Sequence, residues 1–436
     1  MQRTELTDDK IATATEGLNP EFRTHLSKMS TPNMLALADY LNSMKSETNP
    51  SDNYRKNIIK VVSLVSRFHK NKLSFKAMKR DDVLLFLDHL RKPDNKDPKH
   101  KWIGTYNLYI TVLTKFFKWA YSPGVPSKTR PKPPVVQNIP QLKRKEISNY
   151  SPDDLWTEED DRIFLRYCPT KRMKFYHTVS RDASDRPHEV LKLKVGDIKW
   201  KLTPDKKQYA EISLSGKTGK RHIPLFHSIP YVKDYLDHEH PSPNPDAPLF
   251  CGLGKRLGNH IGGDQLRRIY TQLKRKHFPE LLDTDIPEED KDIIRQLIRK
   301  PWNPYIRRHT GLTEKSKKIP ALMTQYAGWT PNSKMPQKYF HYFANESSNS
   351  LLEAYDYIPN DKQKSDILKP KYCPHCNEGN KPDSKFCAKC RMVLSYDGYN
   401  ETVEAETKKN AEIESLREQI GELSKKLYEA GILKKD

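Results

Sequence analysis

The chain's reactive side chains gather between Asn303 and Phe343, in NPYIRRHTGLT and then QYAGWTPNSKMPQKYFHYF. Two adjacent arginines (Arg307, Arg308) precede His309 and Thr310, and a Gly328-Trp329 step leads to Tyr339, Phe340 and His341. A guanidinium grips phosphate oxygens with a planar fork of donors. A tyrosine hydroxyl beside such a clamp can attack the phosphorus and form a covalent ester. A second constellation lies further on: Cys373 and Cys376, then ten residues, then Cys387 and Cys390. Four thiolates in two such knuckles fit a closed tetrahedral structural zinc site. The metal would hold together a module too small for a core of its own. His375 reads as a bystander, and Lys381, Lys385 and Lys389 leave DNA contact and protein contact equally open.

Charge narrows the class of partner. Over 436 residues, 77 Lys+Arg against 56 Asp+Glu give a net charge of +21. Such an excess concentrates polyanions at the surface, so nucleic acid or an anionic membrane is expected. No apolar run approaches the roughly 18 residues that a membrane span needs, and MQRTELTDDK has no signal-peptide core. The other two cysteines, Cys168 and Cys251, stand apart, which speaks against a secreted disulfide framework and for a cytoplasmic, nucleoid-associated protein.

These residues need positioning, and the chain divides accordingly. Residues 1–29 are polar and read as an extension, a short helix or disorder. Residues 30–121 carry helical stripes: one after Ser30-Thr31-Pro32, then Tyr54 to Lys70, Lys79 to Leu90 and Thr105 to Ala120. Their polar faces are lysine-rich, as a DNA-binding helical domain requires. Residues 122–149 hold six prolines by Pro140 and predict an extended linker. A third region, 150–358, opens with a capping box, Thr157 with Asp160, for a helix from Glu158 to Cys168. Short helices follow, with strands at Tyr209 to Ser215 and His222 to Leu225 making a hairpin across GKTGKR. A P-loop is excluded there, because Glu211 stands where its first glycine belongs. The fold class is therefore mainly α with a small antiparallel sheet, then a zinc ribbon at 370–394 and a helix at 400–436. In that tail Ile413, Leu416, Ile420, Leu423 and Leu427 recur at steps of three and four, the seam of a possible coiled coil.

At Arg186 the text SDRPHEVLKLKVGDI resembles the first catalytic-arginine box of the tyrosine recombinase, or phage integrase, family, with Glu189, Leu193, Asp197 and Ile198 in place. ISLSGKTGKRHIPL resembles the family's hairpin, whose lysine follows a glycine and maps onto Lys217, with Lys220 second. YIRRHTGLT resembles the second box and places Arg308, His309 and Thr310. AGWT places Trp329, and SKMPQKYFHYF places the nucleophile at Tyr339, ahead of the competing Tyr326 and Tyr342. The GWxxxSKMPxxYxH layout resembles archaeal members most closely, and the likeness covers roughly Thr31 to Tyr357. Two positions depart from the pattern: Tyr305 stands where the family usually has histidine, and Pro187 follows the arginine.

The resemblance implies site-specific cutting and rejoining of duplex DNA through a 3′-phosphotyrosine, without a catalytic metal or other cofactor. Arg186 and Arg308 would neutralise charge gathering on the phosphoryl oxygens. Lys217 would protonate the departing 5′ oxygen, and Tyr305, a poor base at neutral pH, would position rather than catalyse. Arg181 and Arg307 are the decoys nearest the two arginines. It also implies a helical domain and a catalytic domain enclosing double-stranded DNA, and self-association into a four-protomer synapse. A non-catalytic DNA-binding regulator on the same scaffold, a type IB-like relaxing enzyme and an RNA-binding ribbon protein are the rival readings.

Overall fold

Apolar residues at helical spacing build the first of two units. The computed structural model describes residues 2–144, 150–216, 219–340 and 367–429, and these divide into one unit up to Asn149 and another from Tyr150. In the first unit run α1 (Gln2–Thr15), α2 (Pro20–Ser27), α3 (Thr31–Glu47), α4 (Asp52–Phe68), α5 (Arg80–Asp88) and α6 (Trp102–Tyr121). Leu37, Leu41, Ile58, Val62, Val65, Phe116 and Phe117 form its centre. Buried polar groups fix the angles between helices. Asn33 donates to Ser66 and to the Leu73 carbonyl and accepts from the Phe75 amide, tying α3 to α4 and the loop after it.

Two segments differ from what the sequence predicts. The first 29 residues are not an extension: Ile11, Ala14, Phe22 and Leu26 join the core, and Arg55 of α4 binds the Ala14 and Glu16 carbonyls. Each of those helices offers only one short apolar pair, too little to read as a stripe. The proline-rich stretch after α6 is not a free linker either. Val135, Val136 and Ile139 are buried in the same core. Its carbonyls, in a segment poor in N–H donors, accept instead from Arg130, Arg80 and Asn107.

The second unit holds α7 (Glu158–Tyr167), α8 (Lys171–Ala183), α9 (Pro187–Val190), β1 (Ile198–Leu202), β2 (Gln208–Gly216), β3 (Gly219–Leu225) and α10 (Ile229–His238). Then come α11 (Gly263–Gln272), α12 (Phe278–Leu281), α13 (Glu288–Arg299), α14 (Pro304–Lys318), α15 (Met323–Tyr326) and α16 (Gln337–Phe340). The Thr157–Asp160 capping box is present at α7. The sheet is antiparallel in the order β1-β2-β3, with Ile212 opposite both Ile198 and Ile223. The sequence predicts no strand at β1; only its Ile198 is buried, so IKWKL shows no inside–outside contrast, as befits a lysine-bearing edge strand. Beyond 366 come β4 (Lys371–Tyr372), β5 (Gly379–Asn380) and α17 (Tyr396–Glu429). Lys217, His341, Tyr342 and 344–358 lie outside the described residues.

Candidate active site

The end of α8 sets the first arginine. Ser184 turns the chain into the left-handed region (φ 46°), Asp185 follows, and Arg186 is extended (φ −81°, ψ 138°) at the N-cap of α9. Pro187 thus falls in the first helical turn, where its missing N–H leaves nothing unpaired. The Arg186 amide and guanidinium both donate to Glu189, at 3.1 and 2.9 Å. The same carboxylate takes two bonds from Arg221 on β3, at 2.6 and 3.4 Å. Burial alone would raise the Glu189 pKa, but Arg221 and Arg186 together hold it at about 2. One enclosed carboxylate therefore aims two guanidinium groups.

Arg308 is set by α14. The Asn303 side chain caps that helix, accepting from the Tyr305 and Ile306 amides at 3.0 and 3.2 Å. Arg308 donates to the carbonyls of Ser184 and Ala327, at 2.6 and 3.0 Å. These carbonyls end α8 and α15, where helix dipoles favour a cation. Gly311 permits the approach, since a Cβ there would lie 2.3 Å from Ser184 Oγ and 2.6 Å from the Arg181 carbonyl. At Gly328 (φ +64°) a Cβ would fall 2.6 Å from the Arg221 guanidinium, so this turn also needs glycine.

Tyr339, 2% exposed, sits in a small cluster with Leu312, Met323, Ala327 and Trp329, apart from the main core. Its ring lies 5.6 Å from Trp329 and 5.6 Å from His309, near parallel to both. Arg308 stands 5.8 Å over Trp329. Burial lowers the Arg308 pKa, the Tyr339 phenol nearby opposes that, and Arg186 reinforces it, so the three share one electrostatic neighbourhood. Behind them Asp185 is buried with no hydrogen-bond partner for either carboxyl oxygen among the described residues. Burial and the Glu189 charge push it up to about 8, against the pull of Arg308 and Arg221. At neutral pH it is an uncharged acid.

Arg186, Arg308, Trp329 and Tyr339 thus come together. Tyr305 stands at the rim, 45% exposed. Lys220 is exposed on β3 and lines the cleft beside Arg221. The decoys are tied elsewhere: Arg307 pairs with Asp161 at 2.7 Å, both fully buried, and Arg181 pairs with the half-buried Glu314 at 2.9 Å. Tyr326 gives its hydroxyl to the Asp182 carbonyl. Arg221 and Asp185 escape the sequence reading. Arg221 was legible in principle, because on β3 it alternates with the buried Ile223 and Leu225 and so shares their inward face. A cleft of about 780 Å³ opens beside Arg221 and Trp329.

The four cysteine sulfurs lie within 4.8 Å of one another, with Cys373–Cys390 at 3.5 Å and Cys376–Cys387 at 3.6 Å. Thiolates around a zinc at about 2.3 Å stand roughly 3.8 Å apart, whereas a disulfide needs about 2.05 Å. The set fits a tetrahedral metal. Asn380 braces it, donating to the Glu378 carbonyl and toward Cys387 and accepting from the Ala388 amide. Lys381 pairs with Asp234 of α10 and Lys385 with Glu401, so two of the three ribbon lysines are engaged within the chain.

No family model and no curated protein matches the chain. It is similar to several solved structures. One is the XerH site-specific recombinase bound to palindromic difH substrate (16% identity, 80% of this chain and 97% of that one, TM-score 0.48). Others are the Tn1549 transposon integrase with transposon right end DNA (13%, 74% and 99%, 0.49) and lambda integrase bound to DNA (11%, 72% and 96%, 0.48). Identities and TM-scores this low decide neither family nor chemistry, which rest on the site itself.

Proposed function

We propose that this chain cuts and rejoins duplex DNA through a covalent bond between Tyr339 and a 3′ phosphate. The observation that carries the reading is the stacking of Tyr339 between Trp329 and His309, beside the backbone-anchored Arg308. Three guanidiniums, on Arg186, Arg221 and Arg308, face one ionised carboxylate, Glu189, and a neutral Asp185. The surplus is two positive charges. A phosphodiester carries one negative charge, and its transition state for substitution gathers a second, so the site matches the transition state better than the ground state.

In the proposed step the Tyr339 oxygen attacks phosphorus, the bond to the 5′ oxygen breaks, and the phenolic proton leaves to a base or water. The departing oxygen takes a proton, for which the resemblance nominates Lys217, with Lys220 second. Rejoining reverses the sequence: the free 5′ hydroxyl attacks the phosphotyrosine, so the ester conserves the bond energy and no ATP is used. Arg186 and Arg308 hold the non-bridging oxygens, and Trp329 packs the tyrosine and the arginine against each other. Tyr305 positions the DNA backbone from the rim.

The net charge of +21 supports duplex DNA as substrate through phosphate contacts, and no described helix is long and apolar enough to cross a membrane. Zinc is the metal we assign to Cys373, Cys376, Cys387 and Cys390, in a structural role. Nicked duplexes, in buffer without added divalent metal, test the reading: the wild type forms a denaturant-resistant DNA adduct, and Arg308→Ala lowers its rate on the order of 100-fold or more. Tight binding with no adduct on any duplex would favour the regulatory alternative.

A further inference from the structure

The tail helix α17 runs for 34 residues, and its apolar side chains are open to solvent. Ile413, Leu416, Ile420 and Leu423 are 39%, 50%, 62% and 59% exposed. In a heptad they fall at a, d, a and d, with Leu427 at the next a. Helices with β-branched residues at a and leucine at d favour parallel two-stranded coiled coils. We propose that α17 pairs with α17 of a second copy of this chain, parallel and in register, independently of DNA and of the chemistry proposed above.

Charge selects this arrangement. With Ile413 at a, Glu412 occupies g and Arg417 the following e. In a parallel pair, g of one helix meets the next e of the other, so two Glu412–Arg417 contacts flank the seam and Gln419 meets Ser424. No like charges face each other across these positions. An antiparallel pair also joins opposite charges, Glu412 with Lys426, but it sets Arg417 against Arg417 and mixes isoleucine with leucine in every layer. Glu414, Glu418, Glu422 and Lys425 fall at b, c and f, away from the seam, whereas upstream Glu406 and Lys409 fall at a and d and end the apolar run. The apolar run is only about two heptads, so association is expected in the micromolar range.

Sedimentation equilibrium of the full-length, zinc-loaded protein without DNA, up to about 100 µM, tests this. A monomer–dimer equilibrium is expected. Because Ile420 is exposed, Ile420→Lys leaves the thermal melt unchanged and weakens association by at least about tenfold. Glu412→Arg alone weakens the dimer, and adding Arg417→Glu restores it. Orientation is read from Ile420→Cys, which oxidises to a disulfide with its own copy in the parallel pair. A monomer throughout, a dimer indifferent to Ile420→Lys, or cross-linking only when Ile420→Cys is mixed with Leu416→Cys would overturn the proposal. Failure here leaves the strand-transfer reading standing, and the converse holds too.

Discussion

At the scale of single residues, Glu189 organises the candidate site, because it binds Arg186 and Arg221 with one buried carboxylate. Removing Arg221 leaves that carboxylate half-paired and takes one guanidinium out of the site. Arg221→Ala should lower the rate of adduct formation by about 100-fold, with Arg221→Lys recovering only part, since a point charge cannot replace a fork. An unchanged rate would remove Arg221 from the site. Asp185 gives a pH signature. It is faced by Glu189 of α9, Arg308 of α14, Arg221 of β3, Tyr176 of α8 and Tyr326 of α15. Below about pH 8 it is neutral and the arginines keep their full field; above that its charge offsets them, so cleavage should fall. Stability moves the same way. A folded-state pKa raised from about 4 to about 8 gives a contribution complete below pH 4 and lost as pH rises to 8. Asp185→Asn should flatten the alkaline limb of the rate profile and melt higher than the wild type above pH 8. A limb that persists in the variant would assign it to another group. The sequence motif carries Arg186, Arg308, Trp329 and Tyr339, and alternation along β3 turns Arg221 inward, but the burial of Asp185 is set by distant neighbours that no local spacing encodes.

At the scale of elements, the site depends on how closely α14 approaches the end of α8. Gly311 sits at that crossing, and the close approach brings the Arg308 guanidinium to the Ser184 carbonyl. Gly311→Ala places a methyl where Ser184 Oγ and the Arg181 carbonyl already stand. The helices must separate, at about 1–3 kcal/mol, and Arg308 loses an anchor. A melting temperature several degrees lower, with slower cleavage at temperatures where the protein is folded, is the expected pair of effects. A stable variant with normal cleavage would mean the crossing has slack. Elements with strong internal periodicity were legible: α3, α4, α6, the Thr157 cap and the β2–β3 hairpin all lie where the sequence puts them. α1, α2, the buried valines after α6 and the strand β1 were not. Each draws its burial from distant neighbours, not from a repeat of its own.

At the scale of the whole molecule, the cysteine module is fastened to its unit rather than hung from it. Leu368 enters the main core of the second unit, and Lys233–Glu378 and Lys381–Asp234 join the ribbon to α10. Stripping the metal should therefore unfold the ribbon and also lower the melting temperature of the second unit by several degrees, read by calorimetry, with re-addition of zinc restoring it. A melt indifferent to the metal would make the ribbon an independent module. The most direct test of the account is to trap the DNA adduct on a nicked duplex, digest it, and identify the modified residue by mass spectrometry. A 3′-phosphoryl link on Tyr339 and no adduct from Tyr339→Phe are the expected results. A link to Tyr342 or Tyr326, or an adduct that survives Tyr339→Phe, would contradict it.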